Sequence, residues 1–291
     1  MRRVALLVNP SAGGGRAARA LPAVEHALRG HDVTFRTSLT RDLPHARDLA
    51  RAAAQAGETI VTLSGDGLAG TVAAILRETP GGVLGVLPGG RGNDLCRVLG
   101  IPLEPVAACA VVAGGIERAL DVGDVDGRTF LGIASLGFDS DVNRIANAAP
   151  SALGKLVYTY AALRALPGWR PAAFALELDG RRRDFTGYSV ACANARAYGG
   201  GMLLAPGAEL DDGLLDVVIT EQLPKWRFLR NLPRVFRGTH LRLPQVRVER
   251  AREVRVGADR PFAVYADGDP VADTPVTIRA IPRAIRVLVP G

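Results

Sequence analysis

The residues best suited to chemistry are carboxylates set among glycines. Thr59-Ile60-Val61-Thr62-Leu63 is a short β-branched apolar run that empties into Ser64-Gly65-Asp66-Gly67-Leu68-Ala69-Gly70, and an apolar helical pattern follows as far as Leu76. A strand, a tight turn and a helix start leave backbone N–H groups unsatisfied at the positive end of aligned peptide dipoles, which attracts phosphate. Glycine lets that backbone close on a ligand, because no Cβ stands between them. Asp66 sits among these amides, where a carboxylate could hold a metal ion or orient a hydroxyl. A plain βα turn with an acid near the helix start accounts for the same residues.

Two more stretches share this character. Val4–Val8 is continuously apolar and ends in Asn9-Pro10-Ser11-Ala12-Gly13-Gly14-Gly15-Arg16, where backbone amides and the Arg16 charge could receive a phosphate. The spacing is that of neither a Walker A loop nor a dinucleotide fingerprint, and a flexible loop fits it equally well. Val83–Leu87 runs into Pro88-Gly89-Gly90-Arg91-Gly92-Asn93-Asp94. Acids gather again further on. Ala205–Asp216 packs four carboxylates around a turn, which suits either Mg²⁺ or an acidic hairpin bend eased by Gly213. Tyr265-Ala266-Asp267-Gly268-Asp269-Pro270 places paired acids in a hairpin-like turn.

The elements that must position these loops alternate. Strands at Val4–Val8, Val33–Ser38, Thr59–Leu63 and Val83–Leu87 are interleaved with helical patterns at Ala17–Leu28, up to Ala56, after Gly70 and at Val106–Ala113. That order implies a parallel sheet with helices on both faces. Loops leaving the carboxyl ends of such strands line one crevice, so the three glycine loops are expected to meet around a triphosphate at an interdomain cleft. Near Leu120–Asp121 the pattern changes. A crossing strand at Arg118–Val122 precedes shorter alternating strands at Thr129–Ser135, Ala173–Leu178, Tyr188–Ala193, Leu214–Ile219, Gln245–Val248, Arg252–Val256, Phe262–Tyr265, Val276–Ala280 and Ala284–Val289. Helical interruptions fall at Leu153–Leu166 and Lys225–Arg237. The expected fold is α/β plus β: a Rossmann-like parallel α/β domain over residues 1–121 and a β-sandwich-like domain over 122–291.

Composition narrows the function classes. The chain has 291 residues, a net charge of +7, 48% hydrophobic and 22% charged residues, the balance of a globular protein with an anionic partner. Aromatics are only 5%, and without an aromatic-studded basic strand nucleic acid is not an expected partner. No apolar run approaches the roughly 20 residues that span a bilayer, and Val4–Val8 is too short for a signal-peptide core. The expected location is the cytoplasm, peripheral to the inner face of the membrane. Cys96, Cys109 and Cys192 lack metal-ligand spacing, so reduced buried thiols are expected.

In this order the loops resemble the diacylglycerol kinase catalytic-domain family, which includes bacterial lipid kinases and sphingosine kinases. Counterparts of its Asn-Pro-x-(Ser/Ala)-Gly, Gly-Gly-Asp-Gly-Thr, Gly-Thr-x-Asn-Asp, Ala-Pro-x-Ala-x-x-Asp-Asp-Gly and late Asp-Gly-Glu stretches run from Asn9 to Asp269. The resemblance implies an ATP-dependent kinase that phosphorylates a diacylglycerol-like lipid. It places ATP on Asn9, Pro10, Ser11, Ala12, Gly13, Arg16, Thr40, Ser64, Gly65, Asp66, Gly67, Leu68, Ala69, Gly70, Arg91 and Asn93. It makes Asp269 the general base and sets Asp66 and Asp94 beside the catalytic metal. It gives Glu209, Asp212 and Leu214 a structural Mg²⁺, the outer two through backbone carbonyls. Four residues depart from the family pattern: Ser64 for Gly, Leu68 for Thr, Arg91 for Thr and Asp269 for Glu. A soluble NAD-kinase-like enzyme, or a member that binds nucleotide or lipid without catalysis, are the alternatives. Lys225–Arg247 contains no acid and alternates arginines with apolar residues, which suits anionic lipid headgroups, although an ordinary amphipathic helix on the β domain fits too. Arg227, Arg230, Arg234 and Arg237 are expected on one face, Leu229, Leu232 and Phe236 largely opposite, with a kink or break at Pro233.

Overall fold

The computed structural model describes residues 2–150 and 157–291. The chain forms two compact units, Met1–Asp121 with Arg283–Gly291, and Val122–Pro282. Residues 283–291 thus lie with the first unit, where the sequence reading kept them with the second.

In the first unit β1 (Arg3–Val8), β2 (Thr34–Leu39), β3 (Thr59–Ser64) and β4 (Val83–Pro88) are parallel in the order β2-β1-β3-β4. Arg286 and Val287, near the end of the last strand, run parallel beside β4. Every residue of β3 and β4 is buried, so both faces of the sheet are covered. The cover comes from α1 (Ala12–Gly30) packed with α5 (Pro105–Gly114), and α2 (Leu43–Gln55) packed with α3 (Asp66–Arg77). A short α4 (Asp94–Leu99) follows β4. Local chemistry fixes the helix starts. The Asp42 carboxylate accepts the His45 N–H and that of Glu104 accepts the Ala107 N–H, each with a proline in the first turn. The strand order reverses between β1 and β3, and there the loops that leave these two strands sit side by side.

The second unit is antiparallel. It contains β6 (Arg128–Phe130), β7 (Ile133–Gly137), β8 (Ala172–Leu178), β9 (Arg181–Ala193), β10 (Leu215–Glu221), β11 (Val246–Ala251), β12 (Glu253–Ala258), β13 (Ala263–Ala266) and β14 (Asp269–Asp273). The chain enters through β5 (Ile116–Val125) and leaves through β15 (Val276–Val289). The spine is β9. Its first half pairs with β8, which leads to β12 and the start of β15; its second half has β7 on one edge and β10 on the other. The turn of direction falls at Gly187, which is in register with both Ala172 and Glu221. A Cβ there would stand 2.4 Å from the Thr220 carbonyl oxygen, so only glycine lets the strands cross so closely. Phe138, Trp169, Phe174, Tyr188 and Phe262 are buried in one core of this unit.

Several expectations change. The single strand at Thr129–Ser135 is two strands, because the Asp267 carboxylate takes the amides of Leu131, Gly132 and Ile133. The two strands read at 276–280 and 284–289 are the single β15. A helix the sequence reading missed, α6 (Phe138–Ala148), starts at Gly137, whose φ of 90° and Ser140 side-chain contact break the strand abruptly. The helix expected at Leu153–Leu166 is described only as α7 (Val157–Ala165), and 153–156 lie outside the described residues. The Lys225–Arg237 helix divides as the proline suggested, into α8 (Lys225–Asn231) and a 3-10 turn, Leu232–Arg237. Its faces differ from expectation: Leu229 and Phe236 are exposed with Trp226, while Phe228, Leu232 and Val235 turn inward. Among the described residues no helix is long and apolar enough to cross a membrane.

Candidate functional site

Within the first unit the three glycine loops are knitted together. Gly13, Gly14 and Gly15 have φ of 60°, 69° and 82°, so α1 begins with a left-handed turn that residues with side chains adopt at a cost. A Cβ on Gly13 would lie 2.5 Å from the Gly89 carbonyl oxygen, and one on Gly90 would lie 2.4 Å from Gly65 Cα. Gly89 N–H donates to the Ser64 carbonyl at 2.7 Å, and Arg16 donates to the Gly90 carbonyl at 2.9 Å. Asn93, itself left-handed at φ 52°, accepts from Gly90 N–H at 2.8 Å and fastens the third loop. Asn9 does the same for the first loop by accepting from Ser11 N–H at 3.1 Å. Pro10 and Ala12 complete that bend. The Thr40 N–H and hydroxyl both donate to the Val8 carbonyl.

Asp66 has a structural task. Its carboxylate accepts from the N–H groups of Asp94 and Leu95, both at 3.1 Å, so it caps α4 and brings Asp66 and Asp94 next to each other. The start of α4 is therefore filled by a carboxylate of the chain itself. The start of α3 is not. Gly65 stands at its cap position with no side-chain hydrogen bond, and a Cβ on Gly67 would meet nothing within 4 Å. An anion on this unit would find free helix amides at α3, between the first and third loops. Leu68 and Ala69 are buried, which leaves their backbone as the part that could meet a ligand, with Gly70 one residue on. Arg91 is exposed, so it does not fill the loop cluster. The three cysteines are buried thiols, and burial pushes Cys96 up to about 12.

The second unit holds the other acids. Asp267 and Gly268, at φ 50° and 94°, form the two-residue turn between β13 and β14. Asp267 spends its carboxylate on backbone amides, and Asn147 of α6 donates to the Gly268 carbonyl at 2.8 Å. Asp269 follows, exposed at the start of β14, and desolvation by the surrounding protein raises its carboxyl above the ordinary aspartate range. In the acidic turn Asp212 accepts from Leu214 N–H at 3.0 Å. Arg250 enters the same turn, 2.9 Å from Asp212 Oδ2 and 3.3 Å from Asp216 Oδ1, and the fields of Asp216, Asp212 and Glu209 raise its pKa. Asp212 Oδ2 is buried with no hydrogen-bond partner, although Arg250 lies within ion-pair distance of it. A divalent ion at this turn would compete with the half-exposed Arg250 guanidinium for that oxygen.

Sequence reasoning missed an apolar cavity of the second unit. It holds about 100 Å³, with Phe138, Val142, Met202, Leu204 and Leu223 in its walls and Phe228, Leu232 and Val235 as a roof. Phe228 anchors that roof by stacking on Tyr188 with ring centroids 4.5 Å apart. Spacing gave no signal for it, because its walls come from seven separate stretches of chain, each ordinary core sequence. Over it, Arg227, Arg230, Arg234 and Arg237 are exposed beside Trp226, Leu229 and Phe236.

A parallel α/β unit with this loop cluster, joined in one chain to an antiparallel β unit, defines a class, and comparison with known proteins says which. Residues 3–125 match the diacylglycerol kinase catalytic domain, and residues 132–289 the YegS C-terminal NAD kinase beta sandwich-like domain. A diacylglycerol kinase of Mycobacterium tuberculosis is 35% identical over 298 residues, covering 99% of this chain and 95% of that one. One of Bacillus subtilis is 29% identical over 302 residues, covering 100% and 97%. The crystal structure of a diacylglycerol kinase from Bacillus anthracis shares the fold with a TM-score of 0.79 at 19% identity, over 99% and 97% of the two chains. The chain belongs to the diacylglycerol kinase family of lipid kinases.

Proposed function

We propose that the protein transfers the γ-phosphoryl group of ATP to the hydroxyl of a diacylglycerol-like lipid. The observation that carries this reading is the apolar cavity under a basic, aromatic-bearing roof, in a chain whose other unit knits glycine loops at an open helix start. A soluble acceptor such as NAD needs no such cavity. The cavity takes the beginning of an acyl chain, and a longer chain shifts the half-buried Leu232 and Val235. Amides of the first and second loops and the start of α3 hold the phosphates. Asp66 and Asp94, adjacent at the start of α4, are the acids that would hold a divalent ion brought by ATP, which neutralises charge on the phosphates. A bond forms from the lipid oxygen to the γ-phosphorus as the bond to the β–γ bridging oxygen breaks, and ADP leaves. Asp269 takes the hydroxyl proton, and its raised pKa makes it a stronger base than an ordinary aspartate. Trp226, Leu229 and Phe236 dip into an anionic membrane while the arginines pair with headgroups.

The buried Leu68 supplies no hydroxyl where the family pattern has one, which supports a second reading, nucleotide binding without transfer. Incubation with radiolabelled ATP over an extracted lipid mixture and NAD separates the readings. Labelled phospholipid is expected. Labelled NAD phosphate, or bound ATP with no labelled product, overturns the proposal.

A further inference from the structure

The cavity of the second unit is apolar apart from a few groups, and one of them is an acid. Asp139, the second residue of α6, lines it with no hydrogen-bond or ion-pair partner for its carboxyl among the described residues. The other titratable groups in the walls are Tyr158 from α7, Tyr198 from the loop after β9, and His240 below the roof; no lysine or arginine is among the described lining residues. Burial decides their charge. It pushes Asp139 up to about 7, holds the Tyr198 phenol well above its ordinary value and lowers His240, whose Nε2–H donates to the Leu204 carbonyl at 3.0 Å. The start of a helix favours the anion of Asp139, but a helix terminus moves a carboxyl far less than burial in an apolar wall. The cavity is thus poised to be uncharged, and its acid to be a hydrogen-bond donor.

A neutral donor on an apolar wall calls for a neutral acceptor attached to an apolar chain. An ionised fatty acid would meet no cation among the described lining residues, and a lipid amine would need Asp139 as its anion. An acyl ester satisfies both demands, since the alkyl chain fills the cavity and the carbonyl oxygen accepts. Resting on the lipid-kinase reading above, we propose that protonated Asp139 donates a hydrogen bond to the ester carbonyl of the bound lipid and so selects ester-linked over ether-linked chains.

The test compares 1,2-dioctanoylglycerol with its dioctyl ether counterpart. Binding to the full chain is measured by calorimetry without ATP from pH 6 to 9, and phosphorylation is followed in parallel. One hydrogen bond predicts an ester preference of about three- to tenfold at pH 6. The preference fades as pH rises through about 7 and Asp139 ionises. Asp139→Asn keeps a donor and holds the preference at every pH; Asp139→Leu abolishes it while still binding both lipids. An equal ester preference in the parent and the Leu variant, a preference independent of pH in the parent, or no binding of either lipid overturns the proposal. Selective binding without phosphate transfer would leave this proposal standing and remove the kinase reading alone.

Discussion

Two glycines, one crowded and one open, separate what the loops do for the fold from what they do for a ligand. Gly90→Ala puts a methyl 2.4 Å from Gly65 Cα, so the loops must part, and a loss of about 1–3 kcal/mol in denaturant unfolding is expected along with weaker nucleotide binding. Gly67→Ala meets nothing within 4 Å and has an ordinary φ, so the melting temperature should stay put. If phosphates close on this turn, calorimetry will nonetheless show ATP affinity falling at least tenfold; parental affinity would mean that no ligand approaches there. Asp66 serves two purposes in this scheme. Asp66→Asn offers one acceptor oxygen to the two amides of α4, and a cap weakened in this way costs about 1 kcal/mol. Its phosphate transfer should fall much further than that cost explains, and a variant turning over at the parent rate would free Asp66 from any catalytic role. Asp139 also ties stability to pH. Its native pKa rises from 3.8 to about 7, so the folded chain holds a proton that the unfolded chain releases. Its contribution is fully present below pH 3.8 and is lost as pH rises through 7. Subtracting the Asp139→Asn stability curve, measured in urea, from that of the parent should leave a decline across this window and a plateau above it.

At the scale of elements, the acidic turn between β9 and β10 carries a sharp expectation. Arg250 of β11 pairs with Asp212 and Asp216 and feels the field of Glu209, charges that a divalent ion would compete to neutralise. Without nucleotide, millimolar Mg²⁺ should not move the melting temperature of the parent. Arg250→Gln should be less stable in its absence and recover by a few degrees, on the order of what a weakly bound ion supplies, as Mg²⁺ is added. A parent protein already stabilised by Mg²⁺ would return the metal to this turn. This turn also marks the limit of what the sequence discloses. The strands and loops of the first unit were legible because each signal is local: an unbroken apolar run means burial on both faces, and glycine density after such a run means close backbone approach. Arg250 was not, since its partner acids lie more than thirty positions away and nothing in a basic β-strand announces which arginine pairs across the sheet. The Asp-Gly turn before Asp269 was readable as a turn, yet the reach of Asp267 to Leu131 and Gly132 is long-range and split a strand that alternation alone kept whole. Helix α6 escaped for a third reason: its polar, acid-bearing first turn resembles a loop until Phe138 is seen buried in the aromatic core.

For the whole molecule, charge sets the partner. The chain has 36 lysines and arginines against 29 acids, yet Lys225–Arg247 contains no acid at all. The break at Pro233 turns this segment into a short helix and a 3-10 turn, and that geometry leaves Trp226 62% exposed together with Leu229 and Phe236 among the arginines. Exposed aromatics surrounded by cations gain little in water, because their apolar area stays wet and the cations repel one another. An anionic bilayer surface removes both costs, since side chains enter the headgroup boundary and each arginine near the surface contributes about 1 kcal/mol. Arg230→Glu with Arg234→Glu therefore removes at least about 2 kcal/mol of attraction, which is roughly thirtyfold in binding to phosphatidylserine-containing vesicles by sedimentation. Trp226→Ala should weaken binding to anionic and neutral vesicles by a similar factor, because its contribution is area rather than charge. Binding of the parent should fall as salt shortens the Debye length, and the double charge reversal should lose most of that salt dependence. Undiminished sedimentation of the double variant would show that this roof faces water throughout, and that a lipid reaches the cavity by another route.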